Sequence, residues 1–391
     1  MLSYTSNLLP AETLADLHGR TLPFFAAVRQ RLGWPALGLD LHLGQAVLAA
    51  LQADDAAPAA LAAAGHDHGL TITAINAFPL LPFQAERVKD AAYQPDWTTT
   101  ARLEATCAAA TLALALAPGP EICVSTVPGS YAPWGGGVAQ RQAIAQHLGL
   151  VAAHAWRLAQ QHGRRVIIGL EPEPQCTIER SDQVLALWAE DLPRWAVPAA
   201  TTALGGDAAA AQAAVAGHLG LCLDACHLAV GFEDPAATVA ALCAAGIPIA
   251  KVHISACPEL PQPGRHRPAV AALAAWHEPR FLHQTAWQDA AGTVHQLPDL
   301  DALRPDDPAL EAARCLRSHF HVPLHRPEPL PGVGTSASVA LALLAALRSQ
   351  GLRPTLAIET YTWSLLAEDD AALVAGVAEE LAWLAAHEEG A

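Results

Sequence analysis

The stretch Arg165 to Cys176, RVIIGLEPEPQC, is an apolar run that stops abruptly at a carboxylate, Glu171. The pattern recurs three times downstream. LGLCLDACH carries its run to Asp224, IAKVHIS to His253 and PTLAIET to Glu359. Short, nearly continuous apolar runs are the mark of strands covered on both faces. Four of them, each ending in an ionisable residue, read as the rim of a barrel that binds a metal.

The rest of the chain supplies the partners such strands need. LSYTSN, LGLDLHL, LTITAINAF and EICVST are four earlier strand candidates. Strict alternation in LGLDLHL puts Asp40 and His42 on one face. Helical patterns separate the runs: Pro10 to Arg31, Gln45 to His68 interrupted at Pro58, Thr98 to Leu116, Gln140 to Gln161, one beginning at Ser181, Ala208 to Gly217, Asp234 to Ala245, Ser336 to Gln350 and Ala371 to His387. Asp234 is the expected N-cap of its helix, with Pro235 at the first helical position. Pro198 to Asp207 reads as a linker loop.

Eight strands alternating with helices favour a (β/α)8 TIM barrel over an open doubly wound sheet. The 391 residues therefore read as a single α/β domain. Pro258 to Pro331 breaks the rhythm, and RFLHQTAWQ and GTVHQL flank DAAG there, a hairpin signal. This segment is expected to be an insertion between the seventh and eighth strands. No GxGxxG follows a strand and no GxxxxGK[ST] occurs, so dinucleotide and P-loop readings have no support.

Composition narrows the partners. The formal net charge of -16 argues against nucleic acid, whose backbone is held by clustered Lys and Arg. The 8 Cys are scattered without a CxxC pair, as in the reduced thiols of a cytoplasmic protein. MLSYTSNLLPAET lacks a basic region followed by an apolar one, so no signal peptide is expected. No apolar stretch is long and charge-free enough for a membrane segment. The expected partner is a small-molecule metabolite, with a homo-oligomer left open.

At the C-terminal ends of barrel strands, Glu171, Asp224, His253 and Glu359 would face one centre. Taken singly, each has a plain structural explanation: a cap, an ion pair or a packed core histidine. On consecutive strands the four make a mostly hard-oxygen set suited to one divalent ion: Mn²⁺, Mg²⁺, Co²⁺, Fe²⁺ or Zn²⁺. Glu173, beyond Pro172, is expected at the rim or hydrogen-bonded behind a ligand.

The segments LEPE, DxxH (Asp224, His227), KVHIS and AIET resemble the metal-binding signatures of the xylose-isomerase-like TIM barrel superfamily of sugar phosphate isomerases and epimerases. Within it, LSYTSN, ITAINAFPLLPF, RVKDAAYQPDW, VSTVPGSYAP, LEPEPQC, LGLCLDACHLAVGFEDP and HFHVPLH resemble the EboE-like metabolite traffic proteins. The resemblance implies that Glu171 and Glu359 act as acid and base as well as ligands, and that His227 contacts a substrate oxygen. It implies linkage to the processing or export of a small metabolite, with endonuclease IV-type hydrolysis or non-catalytic carriage as the alternatives.

Other groups stand close to the rim in sequence. Asn76 and Phe78, at the end of the third strand, are candidate substrate contacts. Lys89, Tyr93 and Trp97 lie in a Pro- and aromatic-rich loop that would form a lid. Tyr361 and Trp363 follow Glu359 with alternating spacing and would line the pocket wall. His319 and His321 share a strand face and, with His283, are candidates for a second metal of the kind some relatives hold.

Overall fold

The computed structural model describes residues 1–389. In chain order its strands are β1 (Ser3–Thr5), β2 (Leu37–His42), β3 (Leu70–Asn76), β4 (Glu121–Thr126), β5 (Arg165–Leu170), β6 (Leu219–Asp224), β7 (Ile249–Ile254), β8 (Pro258–Pro261), β9 (Thr285–Gln288), β10 (Val294–Leu297), β11 (Cys315–Ser318), β12 (Gly334–Thr335) and β13 (Thr355–Ile358). Around a closed barrel the neighbours run β1, β13, β7, β6, β5, β4, β3, β2 and back to β1. All of these pairs are parallel. This is the (β/α)8 fold that the alternating pattern predicts. Helices cover the outside, so β2, β6 and β7 are buried at every residue, which is why their sequences are nearly all apolar.

Some local boundaries differ from the sequence expectation. The helical stretch 45–68 is two helices, Gln45–Ala53 and Ala57–Asp67. The break falls at Asp54, whose carboxylate accepts the N–H of Ala56 at 2.9 Å. Pro58 lies in the first turn of the second helix, where a missing N–H costs nothing. The expected linker after Pro198 is helical through Ala203, continuing the helix from Ser181 by way of a wide-turned segment, Leu187–Ala196. That segment packs against the helix Val138–His162 at Gly149, where a Cβ would lie 2.1 Å from the Ala196 carbonyl oxygen. The sixth strand ends at Asp224, and Ala225–Val230 is already helical, with Asp224 as its N-cap.

Between β7 and β13 the chain builds a second sheet, in the order β10, β9, β11, β8, β12. Its pairs are antiparallel. The β9–β10 turn is held by Asp289, whose carboxylate accepts the N–H groups of Ala291 and Thr293. Leu260, Val270, Trp287, Leu310 and Leu316 form a separate small core under this sheet. The chain leaves β11 directly into His319 and His321, and this carries both histidines to the barrel mouth. Among the described residues no helix is long and apolar enough to cross a membrane.

Candidate metal centre

Parallel register sets the level of the rim donors. Asp224 on β6 lies opposite His253 on β7. Ile254 lies opposite Ile358 on β13, so Glu359 is the next residue out. The N–H of Glu171 bonds the Thr126 carbonyl at 3.1 Å and extends the β4–β5 ladder by one residue. One donor atom from each of Glu171, Asp224, His253 and Glu359 lies within 4.8 Å of the others, and all four residues are buried. His253 Nδ1 is 2.7 Å from Glu171 Oε1, 3.3 Å from Glu359 Oε2 and 3.8 Å from Asp224 Oδ2.

A second polar layer lies beneath these four, in a barrel interior that usually holds aliphatic side chains. His253 Nε2 is 3.1 Å from Asp40 Oδ2. The ammonium of Lys251 donates to Asp40 Oδ2 and to Ser125 Oγ, both at 2.7 Å. A carboxylate can only accept, so both ring nitrogens face acceptors and the metal-free imidazole is doubly protonated. Asp40 holds the Nε2 hydrogen, and Nδ1 is the nitrogen that would give up its hydrogen to a cation among the rim carboxylates. Ser125 Oγ and the Phe78 N–H both donate to Asn76 Oδ1. That orients the amide so that Nδ2 meets Glu359 Oε1 at 3.4 Å. Asn7 Nδ2 donates to the same oxygen at 2.8 Å.

The charge balance tests whether a cation fits. Glu171, Asp224, Glu359 and Asp40 are buried carboxylates, faced by Lys251 and by the imidazoles of His253 and His321. Excess buried charge of one sign is costly unless a counter-charge is bound. Asp224 Oδ2 is buried with no hydrogen-bond partner. Burial opposes the imidazolium of His253, yet its surroundings raise its pKa well above the usual value, through Cys222, Glu171 and Glu359. Burial pushes the Cys222 thiol itself up to about 12, so the two carboxylates carry that effect. Burial likewise opposes ionisation of Glu359, but His253, His321 and Lys251 hold it well below the carboxylate range. Three carboxylate oxygens and one imidazole nitrogen around an electron-rich centre suit a divalent cation.

A histidine group adjoins this centre. His227 Nδ1 is 2.8 Å from the Pro172 carbonyl, His321 Nδ1 is 2.7 Å from the Glu359 carbonyl and His319 Nδ1 is 2.7 Å from Gln284 Oε1. Gln284 Nε2 donates to the Pro174 carbonyl, which fixes that amide the right way round. Each Nδ1 must then donate, and each Nε2 is left as an acceptor. The Nε2 atoms of His227 and His319 face each other at 3.1 Å. Two bare lone pairs at that distance repel, so a proton or a cation must lie between them. Donor atoms of Glu173, His227 and His319 group within 4.8 Å, as do those of Asp224, His227 and His321.

His283 is not part of this group. Its Nδ1 is bonded to the His319 carbonyl and its Nε2 to Glu278 Oε1, both at 2.8 Å. The expected partner of His319 and His321 is therefore replaced by His227. Both ring nitrogens of His283 are taken by acceptors, so no lone pair remains for a metal.

The pocket over the centre is lined by Phe78, Lys89, Tyr93, His227 and Tyr361 among the sequence candidates. Lys89 is tied down, its Nζ 2.6 Å from Asp299 Oδ2 and 2.9 Å from the Glu278 carbonyl. Tyr93 donates to Glu173 Oε1 at 2.9 Å. Burial, with Glu171 adding to it and His227 opposing, pushes the Glu173 carboxyl up to about 8. Trp97 and Trp363 are packed away from the pocket. The Trp97 indole N–H bonds the Val127 carbonyl, and that of Trp363 bonds Tyr4 Oη and Glu380 Oε2. Asp40, Lys251 and Asn7 take part in the centre without having been singled out from sequence. The available signal was a charged residue inside an apolar strand: Asp40 in LGLDLHL, and Lys251 two residues before His253.

No family model and no curated protein matches this sequence. Solved structures do. An L-ribulose 3-epimerase is similar at 16% identity and a TM-score of 0.45, over 100% of this chain and 98% of that one. A D-psicose 3-epimerase determined in the presence of D-fructose is similar at 10% identity and 0.48, over 98% and 97%. An IolI protein with a bound zinc atom is similar at 11% identity and 0.47, over 97% and 96%. A xylose isomerase-like TIM barrel/4-hydroxyphenylpyruvate dioxygenase fusion protein is similar at 16% identity and 0.42, over 92% of this chain and 38% of that one.

Proposed function

We propose that this chain is a divalent-metal-dependent isomerase or epimerase of a small polyol or hydroxycarbonyl metabolite. The supporting observation is the convergence of one donor atom each from Glu171, Asp224, His253 and Glu359 within 4.8 Å, in a buried site with excess negative charge. These four residues would hold the ion. When bound, a divalent cation supplies positive charge that polarises a carbonyl and stabilises the negative charge developing after proton loss.

The protein side of the chemistry is acid–base work. Glu171 and Glu359 stand on strands separated by β6 and β7 around the barrel, so they approach a substrate from different sides. One removes a proton from the carbon bearing the hydroxyl, and the other returns one to the same or the neighbouring carbon. Asn7 and Asn76 both engage Glu359 Oε1, which leaves Oε2 for this role. His227, anchored through Nδ1, offers Nε2 to a substrate hydroxyl. The resemblance of LSYTSN, LEPEPQC and HFHVPLH to EboE-like proteins would extend this reading to metabolite processing or export.

The test is solvent exchange. Protein loaded with Mn²⁺ is incubated in D₂O with candidate hydroxyketones, and deuterium at the carbon next to the carbonyl is followed by NMR. Glu171→Gln, held at Mn²⁺ concentrations that keep the ion bound, should lose exchange. Unchanged exchange in that variant would remove Glu171 as the base, and tight binding without exchange in the wild type would indicate a carrier.

A second reading, metal-dependent hydrolysis, is favoured by the adjoining group of Glu173, His227, His319 and His321, with its convergent Nε2 acceptors. Metal stoichiometry separates the two: one ion per chain fits isomerisation, and two or more fit hydrolysis.

A further inference from the structure

The pocket over the rim carboxylates is walled almost entirely by buried side chains. Of its lining residues only Lys89, Ala92 and Leu282 are partly exposed. The cavity is about 50 Å³, room for roughly four waters. A sugar-like substrate occupies more than that. A second cavity of about 500 Å³ lies further out, lined in part by the exposed Arg87, Asp90, His277 and Asp301. Lys89 and Leu282 line both cavities, so they form the partition between them.

The partition is a strap, residues 85–92, laid across the segment 278–282. The Val88 and Lys89 N–H groups both donate to the Arg280 carbonyl at 2.8 Å. The Lys89 ammonium donates to Asp299 Oδ2 at 2.6 Å and to the Glu278 carbonyl at 2.9 Å. Among the described residues, every hydrogen bond of the strap beyond its chain neighbours goes to these three acceptors. The flanks are anchored elsewhere. Gln84 donates to the Asn7 carbonyl at 2.7 Å. Tyr93 donates to Glu173 Oε1 at 2.9 Å and accepts from Gln284 Nε2 at 2.7 Å. The strap can therefore lift between two fixed ends by releasing one cluster of bonds.

The backbone is strained at the same point. Lys89 has a φ of 45°, in the left-handed region that residues other than glycine rarely adopt. Such strain persists only where surrounding contacts hold it, and it collects at switch regions. Release of the Arg280 and Asp299 bonds lets Lys89 relax, so the strain favours opening.

We propose that residues 85–92 are the gate to the pocket, with the Lys89–Asp299 ion pair as its latch. Lifting the strap removes the partition and joins the outer cleft to the inner pocket, and the substrate enters by that route. That a metal ion lies behind the gate rests on the reading above. The gate itself rests on the two cavities and the bonds between them.

Amide hydrogen exchange reads the strap without metal or turnover. In Lys89→Met the amides of Val88 and Lys89 should exchange roughly tenfold faster than in wild type, as expected when an opening equilibrium loses a charge-assisted hydrogen bond. Lys89→Arg, which keeps the charge and a donor, should stay close to wild type. Acetohydroxamate, which presents two vicinal oxygens to a divalent ion, is mixed with Co²⁺-loaded protein in a stopped-flow spectrometer. Its association should be faster in Lys89→Met by about the same factor. Asp299→Asn removes the latch from the other side and should show both changes. An unchanged rate in either measurement, in both Lys89→Met and Asp299→Asn, overturns the gate and leaves the metal centre standing. Failure of Co²⁺ to bind removes the metal-dependent reading, and amide exchange alone then decides the gate.

Discussion

Lys251 Nζ lies 2.7 Å from Asp40 Oδ2, and both side chains are fully buried. The pair sits directly under the rim donors, and Asp40 uses the same oxygen to hold His253 Nε2. One ion pair therefore holds the Nε2 hydrogen of a candidate ligand and leaves Nδ1 as the nitrogen turned to the rim. Removing one partner of a buried pair leaves an uncompensated charge and typically costs about 3–5 kcal/mol. Lys251→Met should lower stability by that order in urea titrations. Adding Asp40→Asn should recover part of the loss, since the orphaned charge is gone. The double variant should still bind Co²⁺ roughly 10–100-fold more weakly than wild type, as expected for loss of an outer-shell partner.

Asp224→Asn should separate stability from metal binding. Asp224 Oδ1 caps the His227 N–H at 2.9 Å and accepts from Ser255 Oγ at 2.7 Å, and the amide oxygen of Asn can keep both bonds. Oδ2 faces the other carboxylates without a partner. Like charges about 4 Å apart repel by about 4 kcal/mol at an effective dielectric of 20. Metal-stripped Asp224→Asn should therefore melt above metal-stripped wild type, while its Co²⁺ affinity falls by more than an outer-shell change produces. A lower melting temperature in the stripped variant would contradict the charge-excess argument for the centre.

The closing helix, Asp370–Glu389, carries a buried carboxyl with a structural task. Glu380 accepts from Tyr4 Oη at 2.6 Å, Trp363 Nε1 at 2.8 Å, Thr360 Oγ1 at 2.9 Å and the Leu324 N–H at 2.9 Å. Burial raises its pKa above the ordinary 4.5 even though these donors lower it. The folded chain then holds this proton more tightly than the unfolded chain does. Its contribution to stability is complete below the unfolded value and is lost as pH rises through the folded one. Glu380→Gln cannot titrate and leaves at least one donor unmatched, at about 1–3 kcal/mol. Thermal melts should show wild type above the variant, by a margin that shrinks as pH rises from about 4.5.

Gly149→Ala should destabilise the outer layer without touching the site. The added methyl would meet the Ala196 backbone oxygen at 2.1 Å, and a carbonyl within a helix has little room to yield. Overpacking of this sort costs roughly 1–3 kcal/mol, occasionally more. Chemical denaturation should show that loss, with Co²⁺ affinity measured on the folded protein unchanged.

The rim was legible because its signal is local. A run such as RVIIGLE shows both burial and the residue at which burial ends, and parallel register then brings Glu171, Asp224, His253 and Glu359 to one level. The hairpin at 289–293 was legible for the same reason, since Asp, Gly and alternation lie within a few residues of one another. Helix ends were less so. In 45–68, Pro58 looked like the break, while the side chain of Asp54 made it.

By itself the sequence determined the barrel and the residue types at its rim, because apolar periodicity and strand length are properties of neighbouring residues. Only the tertiary structure decided which polar groups meet. Asp40 and Lys251 are 211 positions apart and His227 and His319 are 92 apart, so nothing near either member announces the other. The fate of His283 likewise turned on which acceptors surround each ring nitrogen. Such pairings depend on barrel closure and on where the second sheet returns the chain, and hydrogen-bond geometry then assigns one imidazole to the centre and another to the scaffold.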